Sequence, residues 1–582
     1  MIPFSAKLFG VLSLMLTSAM PSIASQSCDQ ATLLATASTL AKSHPEHVQV
    51  FFVAQSRAKN EIIGFRLAGS AQPAEATPAI LLVAGLDGAR SYTSAMALDH
   101  ATRLAQGYGE DDAVTQLLDT TTLYIIPRLD TDAGAARSQS PLAVVTGTGH
   151  GVDNDRDGRN GEDGPSDVNG DGFIAMMRQL HAEGEWVEDP TDARVMIKAD
   201  ASKGVRGKWK LMTEGFDSDG DEQVAEDSAL DAVANRNFPR NWTEHDAAAG
   251  RYPTHEPAAL GLIEFLVQHP DIALVLTYGD ESNLSQKPDS QDDGGASAGA
   301  VKTGVYKSDL PLYEELGSRY RELTSNETKG LGEQPGSFQS FAYHHRGLMC
   351  LDVDPWSVPL DAKLPKDEDE AETEDSATDA PSDEGNKPEK VKDKKKEDDK
   401  PKPSDDAKRL IWLDQNTDQA FLPWTAYEHP QLGAVEVGGF LPYSKVEPPA
   451  TQMAEVTESH FAFLLTLGAY LPRLELHDVV GKALGNGLVE VTATLENGAF
   501  LPQQTRAAER SRAIRPARVS LSLPMDAELL AGSSQTLVRD LARLGGRQEF
   551  RWLVAGVSDE ASIHIEVNTN NAGTTRAKVE VK

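Results

Sequence analysis

Ala79-Ile80-Leu81-Leu82-Val83-Ala84-Gly85-Leu86-Asp87-Gly88-Ala89-Arg90 opens with six apolar residues, stops at a glycine and runs into a short polar loop. An unbroken apolar run of that length, bounded by a turn residue, reads as a strand buried on both faces. Ser91 to Leu104 follows with helical spacing, and Ser91 is its expected cap. The alternation then recurs. Leu123 to Ile126 is a strand stopped by Pro127, Pro257 to Val267 a helix, and Ile272 to Tyr278 a strand. Ser337 to Arg346 is a helix closed by Gly347, and Leu348 to Val353 is the strand after it. Such alternation predicts an α/β domain over about 43–472. In these folds the chemistry gathers at strand carboxyl ends, where Asp87, Gly279 and Asp354 stand.

Outside that domain the composition changes. From about 366 to 409 the chain is Asp, Glu, Lys, Pro and Ser, as in Lys392-Asp393-Lys394-Lys395-Lys396-Glu397. With almost nothing to bury, this tract is expected to be a disordered, solvated insertion. The helix expected over Glu455 to Tyr470 carries Phe461, Phe463, Leu464 and Leu467, and completes the α/β domain. From 473 to 582 the pattern is of alternating strands: Val489 to Thr494, Val519 to Leu523, Ile563 to Val567. That predicts a small antiparallel β-sandwich suited to packing or contact with a protein partner.

Residues 1–25 read as a secretory signal, with Lys7, an apolar run from Leu8 to Ala19, and small residues at Ser22, Ala24 and Ser25. The apolar run is short of the about 20 residues of a membrane span. The expectation is therefore a periplasmic or secreted protein with no transmembrane anchor after processing. The formal charge of −34 argues against nucleic acid as a partner. Two cysteines, Cys28 and Cys350, make no disulfide framework. Export permits one bridge between them, and Cys350 equally suits an apolar strand.

Four segments resemble the zinc carboxypeptidase family, the group of carboxypeptidases A and B, and most closely a branch of large exported bacterial members. Ala232-Val233-Ala234-Asn235-Arg236-Asn237-Phe238-Pro239 is similar to its Asn-Arg-Asn-Phe signature. Tyr124 to Asp132 resembles its strand leading into Asn-Pro-Asp-Gly, and Phe341-Ala342-Tyr343 with Gly347 and Trp356 resembles the approach to its catalytic glutamate. His429-Pro430-Gln431-Leu432-Gly433-Ala434-Val435-Glu436 resembles this branch too.

The resemblance implies a mixed sheet with helices on both faces, and zinc held by His-x-x-Glu and a distant His with one position open for water. At the matching positions this chain has Asp87 for the first ligand, Arg90 for the carboxylate and Gly279 for the second histidine. Asp354 stands at the general-base position. A guanidinium offers a metal no lone pair, and glycine offers no side chain. The resemblance assigns substrate-carboxylate binding to Asn235 and Arg236, with Arg90 as a further candidate; an arginine fork suits a carboxylate bidentately. Arg178 is a candidate for polarising a reacting carbonyl.

Acidic loops form a separate signal. Asp153, Asp155 and Asp157 alternate before Gly158; Asp167, Asn169 and Asp171 before Gly172; Asp217, Asp219 and Asp221 surround Gly220. Alternating oxygen ligands with a turn glycine are how short loops wrap calcium, although no loop carries the glutamate that completes an EF-hand. Ile174 and Val224 stand where such loops place an apolar anchor. His344 and His345, adjacent on a helix, point in different directions and do not share a metal.

Three readings stay open at this level. The first is a pseudopeptidase that binds peptide carboxyl ends or other anions. The second is an active metallocarboxypeptidase with a rebuilt site using Asp87, Asp280 or Glu281, and Asp354. The third is a calcium-stabilised binding or scaffold protein.

Overall fold

The computed structural model describes residues 28–581 apart from 70–76, 138, 149–163, 219, 221–222, 226–231, 295–302, 361–401, 540 and 558–561. The segment 1–25 and the calcium candidates Asp153, Asp155, Asp157, Asp219 and Asp221 lie outside the described residues, as does most of the charged tract.

The central sheet has the order Val48–Gln55, Glu61–Leu67, Thr122–Ile126, Ala79–Val83, Ile272–Tyr278, Met349–Val353. Its last four strands are mutually parallel, and the first two form an antiparallel hairpin on one edge. Every residue of Ala79–Val83, Thr122–Ile126, Ile272–Tyr278 and Met349–Val353 is buried, so helices cover both faces. Tyr92–Gly107, Pro257–Gln268 and Phe338–Arg346 fall where the periodicity put helices. Ser337 caps the last of these by accepting from the Ser340 N–H. Ser91 makes no such cap; its hydroxyl donates to Glu447 instead. The helix Ala450–Leu467 packs against Leu310–Thr324 and completes the domain. Cys350 fills the strand Met349–Val353, and both cysteines are free.

A second, antiparallel sheet runs Phe421–His429, Gly433–Phe440, Met176–Leu180, Trp209–Thr213, Trp186–Glu188, Met196–Lys198. It joins the segment before the Asn235 motif to the chain beyond residue 420. The helix Asp405–Asn416 lies against it through Ala407 and Leu410. That helix begins inside the tract expected to lack structure, because Ser404 caps it and its apolar side chains find Val195 and Phe421.

The carboxyl-terminal region forms five- and four-stranded sheets sharing one apolar core, with Val491 and Trp552 from one sheet and Val519 and Ile565 from the other. The strictly alternating burial of Leu488–Asn497 is that of a strand with one face in such a core. A short helix, Arg506–Ser511, fastens this region to the α/β domain. Gly347 has φ 71°, and a Cβ there would lie 2.3 Å from the Ala508 Cα. Glycine lets the two backbones meet, and Thr505 Oγ1 donates to the Gly347 carbonyl at 2.8 Å.

Candidate functional site

The strand ends bring together Asp87, Arg90, Asp280, Asp354 and Arg236. Arg90 Nη2 lies 2.9 Å from Asp354 Oδ2, and its Nη1 lies 3.8 Å from Asp87 Oδ2. Its guanidinium thus stands between the side chain at the first-ligand position and the one at the base position. The Arg90 N–H also donates to Asp87 Oδ1 at 3.0 Å. Arg236 Nη2 donates to Asp280 Oδ2 at 2.9 Å, and its Nη1 to the Asn235 carbonyl at 3.3 Å. Three carboxylates and two guanidinium groups therefore form one largely buried cluster.

The electrostatics follow from burial. Desolvation works against the Arg90 charge, but Asp354, Asp87 and Asp280 outweigh it and hold the guanidinium protonated more firmly than usual. Burial pushes the Asp354 carboxyl up, with Arg90 opposing. Burial also raises Asp87, again against Arg90, with Asp280 adding repulsion. The ion pairs hold the cluster together, and three buried polar atoms lack a hydrogen-bond partner: Asp354 Oδ1, Asp280 Oδ1 and Arg90 Nε.

Gly279, next to Asp280, packs against Asp352 and Gln339. A Cβ there would lie 2.4 Å from Asp352 Oδ2 and 2.7 Å from Gln339 Nε2. Asp352 is held in place, accepting from Thr277 Oγ1 at 2.5 Å, Gln339 Nε2 at 2.6 Å and the N–H groups of Glu281 and Ser282 at 2.8 and 3.0 Å. Burial still pushes its carboxyl up to about 6. A histidine at 279 has no room unless this network moves.

The residues do not fit the zinc of the family. A guanidinium lies between Asp87 and Asp354, and Gly279 has neither a side chain nor room for one. Among the described residues, no group of three or more His, Cys, Asp or Glu is placed to hold a metal ion.

Other candidates separate. Glu281 turns away from the cluster: its Oε1 accepts from the Gln334 N–H at 3.1 Å. Arg178 lies on the antiparallel sheet, stacked between Trp209 and Trp424 and paired with Glu436 at 2.6 Å, so it is no carbonyl-polarising group. Asn235 is buried, and its Oδ1 accepts from the Phe338 N–H at 2.9 Å, which ties the Asn-Arg segment to the helix before Asp354. His344 faces Glu333 at 3.7 Å, outside the cluster. Asp167 accepts from the N–H groups of Gly170 and Gly172 at 2.7 and 2.9 Å, Asp171 accepts from Asn169 Nδ2 at 3.0 Å, and Asp217 accepts from the Gly220 N–H at 2.6 Å. Val224 packs against the Met177, Val435 and Val437 cluster.

Sequence reasoning missed two features. Asp352, an acid inside an apolar strand, was a visible signal because buried carboxylates need partners. The pairing of Glu447 with Arg137 and Ser91 beside the cleft had no signal, since its residues are far apart in the chain.

Comparison with known proteins agrees with this geometry. The zinc carboxypeptidase family matches residues 33–354. The chain belongs to the zinc carboxypeptidase family. A domain of unknown function matches residues 473–580. No curated protein matches the chain.

Among solved structures, the chain is similar to bovine thrombin-activatable fibrinolysis inhibitor in complex with tick carboxypeptidase inhibitor. The two are 13% identical over 57% of this chain and 87% of that one, with a TM-score of 0.32. It is likewise similar to the carboxypeptidase A from Helicoverpa armigera, at 14% identity over 57% and 66%, with a TM-score of 0.33. A further structure of thrombin activatable fibrinolysis inhibitor is 13% identical, with a TM-score of 0.34 and 56% of this chain covered; the match spans 65% of that structure's length. These likenesses concern the fold alone.

Proposed function

We propose that this member of the zinc carboxypeptidase family is a pseudopeptidase, exported by the segment at 1–25. The observation that carries the reading is the Arg90 guanidinium between Asp87 and Asp354, 2.9 Å from the latter. A permanent cation belonging to the chain replaces an exchangeable one, and it offers no open position at which water is activated. Asp354 is spent as the partner of Arg90 rather than left as a base.

Peptide carboxylate recognition through Arg236 is the second half of the reading. Its fork is engaged by Asp280, a carboxylate like the one it would take from a ligand, and Arg236 keeps 18% of its side chain exposed. A peptide carboxyl end would exchange for Asp280. Calcium at the loops of Asp167 and Asp217 remains a structural proposal, and contact with a protein partner is proposed for the carboxyl-terminal sheets.

The test combines metal analysis with peptide titration. The mature protein, equilibrated with zinc and desalted, is expected to retain no stoichiometric zinc and to hydrolyse no peptide library. Tightly held zinc lost in Asp87→Ala, or turnover abolished by chelation, would overturn the pseudopeptidase. Peptides with free carboxyl ends are expected to bind more tightly to Asp280→Asn than to the parent, and not to Arg236→Ala. Equal binding of amidated peptides would remove the carboxylate half alone.

A further inference from the structure

The antiparallel sheet walls an open cavity of about 520 Å³, between its strands, the helix Asp405–Asn416 and the loop that carries Pro442 to Val446. We infer that this cavity binds a small amphiphilic anion: an aromatic or aliphatic body with a single acidic group. The inference stands on this sheet alone and does not need the pseudopeptidase reading. Helix and hairpin lie beyond residue 354, outside the part of the chain that matches the peptidase family.

Size and lining set the body of the ligand. The volume is in the range of small-molecule sites, and five aromatic rings wall it: Trp186, Phe421, Trp424, Phe440 and Tyr443. The same rings decide the charge. Each already carries a cation of the chain: Lys198 at 5.7 Å from Trp186, Arg194 at 5.9 Å from Phe421 and Arg178 at 4.5 Å from Trp424. Lys445 lies 4.7 Å from Phe440, and Arg137 4.0 Å from Tyr443. An aromatic cage normally attracts a cationic ligand through vacant ring faces. Here each ring already has a cation of the chain within about 6 Å, and an ammonium in the cavity would meet their repulsion.

The charged side chains that line the cavity are Arg194, Lys445 and Asp406. One of them is free to change partner. Arg194 is clamped by Asp192 and Asp414 at 2.7 and 2.6 Å. Lys445 instead holds Asp406 at 3.3 Å in a half-exposed pair, and Asp406 also takes Arg409 at 2.7 Å. Lys445 can therefore turn to a ligand without leaving Asp406 unpaired, and exchanging a half-exposed ion pair costs little. The acidic group of the ligand sits on Lys445 and its body against Trp424 and Phe440. Ala89, next to Arg90, borders the cavity, so a bound molecule would lie beside the peptidase cleft.

The test uses the full mature chain and 8-anilinonaphthalene-1-sulfonate, an apolar anion, with N-phenyl-1-naphthylamine as its uncharged counterpart. Saturable single-site binding of the anion is expected. Val144 borders the cavity and is 42% exposed, so Val144→Trp blocks the cavity without disturbing the core. It is expected to weaken both probes by about tenfold. Lys445→Met is expected to weaken the anion by about fivefold and leave the uncharged probe within about twofold. Thermal melting checks that both variants fold. Displacement by 4-phenylbutyrate, and none by phenyltrimethylammonium, completes the expectation. The inference is overturned if binding is not saturable, if Val144→Trp leaves it unchanged, if Lys445→Met affects both probes alike, or if the quaternary ammonium competes equally.

Discussion

Removing the Arg90 guanidinium is expected to destabilise the α/β domain in a way that depends on pH. In Arg90→Met, Asp354 loses a partner at 2.9 Å and Asp87 one at 3.8 Å, while both carboxyl groups stay buried. At an effective dielectric constant of about 20, such contacts are worth about 4–6 kcal/mol of Coulomb attraction before desolvation is counted. Stripping one partner from a buried pair costs about 3–5 kcal/mol in practice. For a domain of this size that lowers the melting temperature by about 4–7 °C at pH 8.

The carboxylates of the variant can escape the cost by taking up a proton. Burial already pushes Asp354 and Asp87 above the usual carboxylate range, and losing Arg90 moves them further. The folded variant then binds more protons than the unfolded chain, so its stability falls as pH rises and recovers toward pH 5. The assay is thermal melting of parent, Arg90→Met, Asp354→Asn and the double variant at pH 5 and 8. A coupling energy of about 2–4 kcal/mol between the two sites is expected at pH 8. An Arg90→Met melting as the parent does at pH 8, or a double variant that is merely additive, would refute the ion pair as what holds these buried carboxylates.

Three further outcomes are expected. Gly279→Ala forces its Cβ against Asp352 and Gln339, so it should cost about 1–3 kcal/mol in a denaturation series; a neutral effect would mean that the Asp352 network yields easily. Burial pushes Asp130 up to about 8, over an opposing hydrogen bond from the Ala133 N–H and with repulsion from Asp132 and Asp87. Its folded pKa lies above the unfolded one, so stability is lost as pH rises from about 4 to 8, and Asp130→Asn, which keeps the cap, should flatten that loss in a melting-temperature profile. Gly347→Ala meets both the positive φ and the Ala508 backbone at 2.3 Å; it should cost about 2 kcal/mol and loosen the carboxyl-terminal region, read as faster proteolysis near Arg506–Ser511.

The central strands were legible because burial on both faces writes an unbroken apolar run, as in Ala79–Val83 and Ile272–Tyr278. The antiparallel sheet was not legible. Trp186–Glu188 and Met196–Lys198 are three residues each, too short for a period, and Met176–Leu180 pairs with Gly433–Phe440 from far along the chain. Arg178 shows the same limit: nothing in its neighbours says that it stacks between two tryptophans instead of entering the cleft.

By itself the sequence determined the family and which residue types stand where its signature leads one to expect metal ligands. Both depend on which residue types stand after which strands, and Arg90 and Gly279 cannot bind a metal wherever they point. Only the tertiary structure decided how these charges pair. The sequence puts Asp87, Arg90, Asp280, Asp354 and Arg236 at neighbouring strand ends, but pairing depends on which carboxylate each guanidinium reaches. Which carboxylate a guanidinium reaches is set by the packing of strands whose order is not written along the chain.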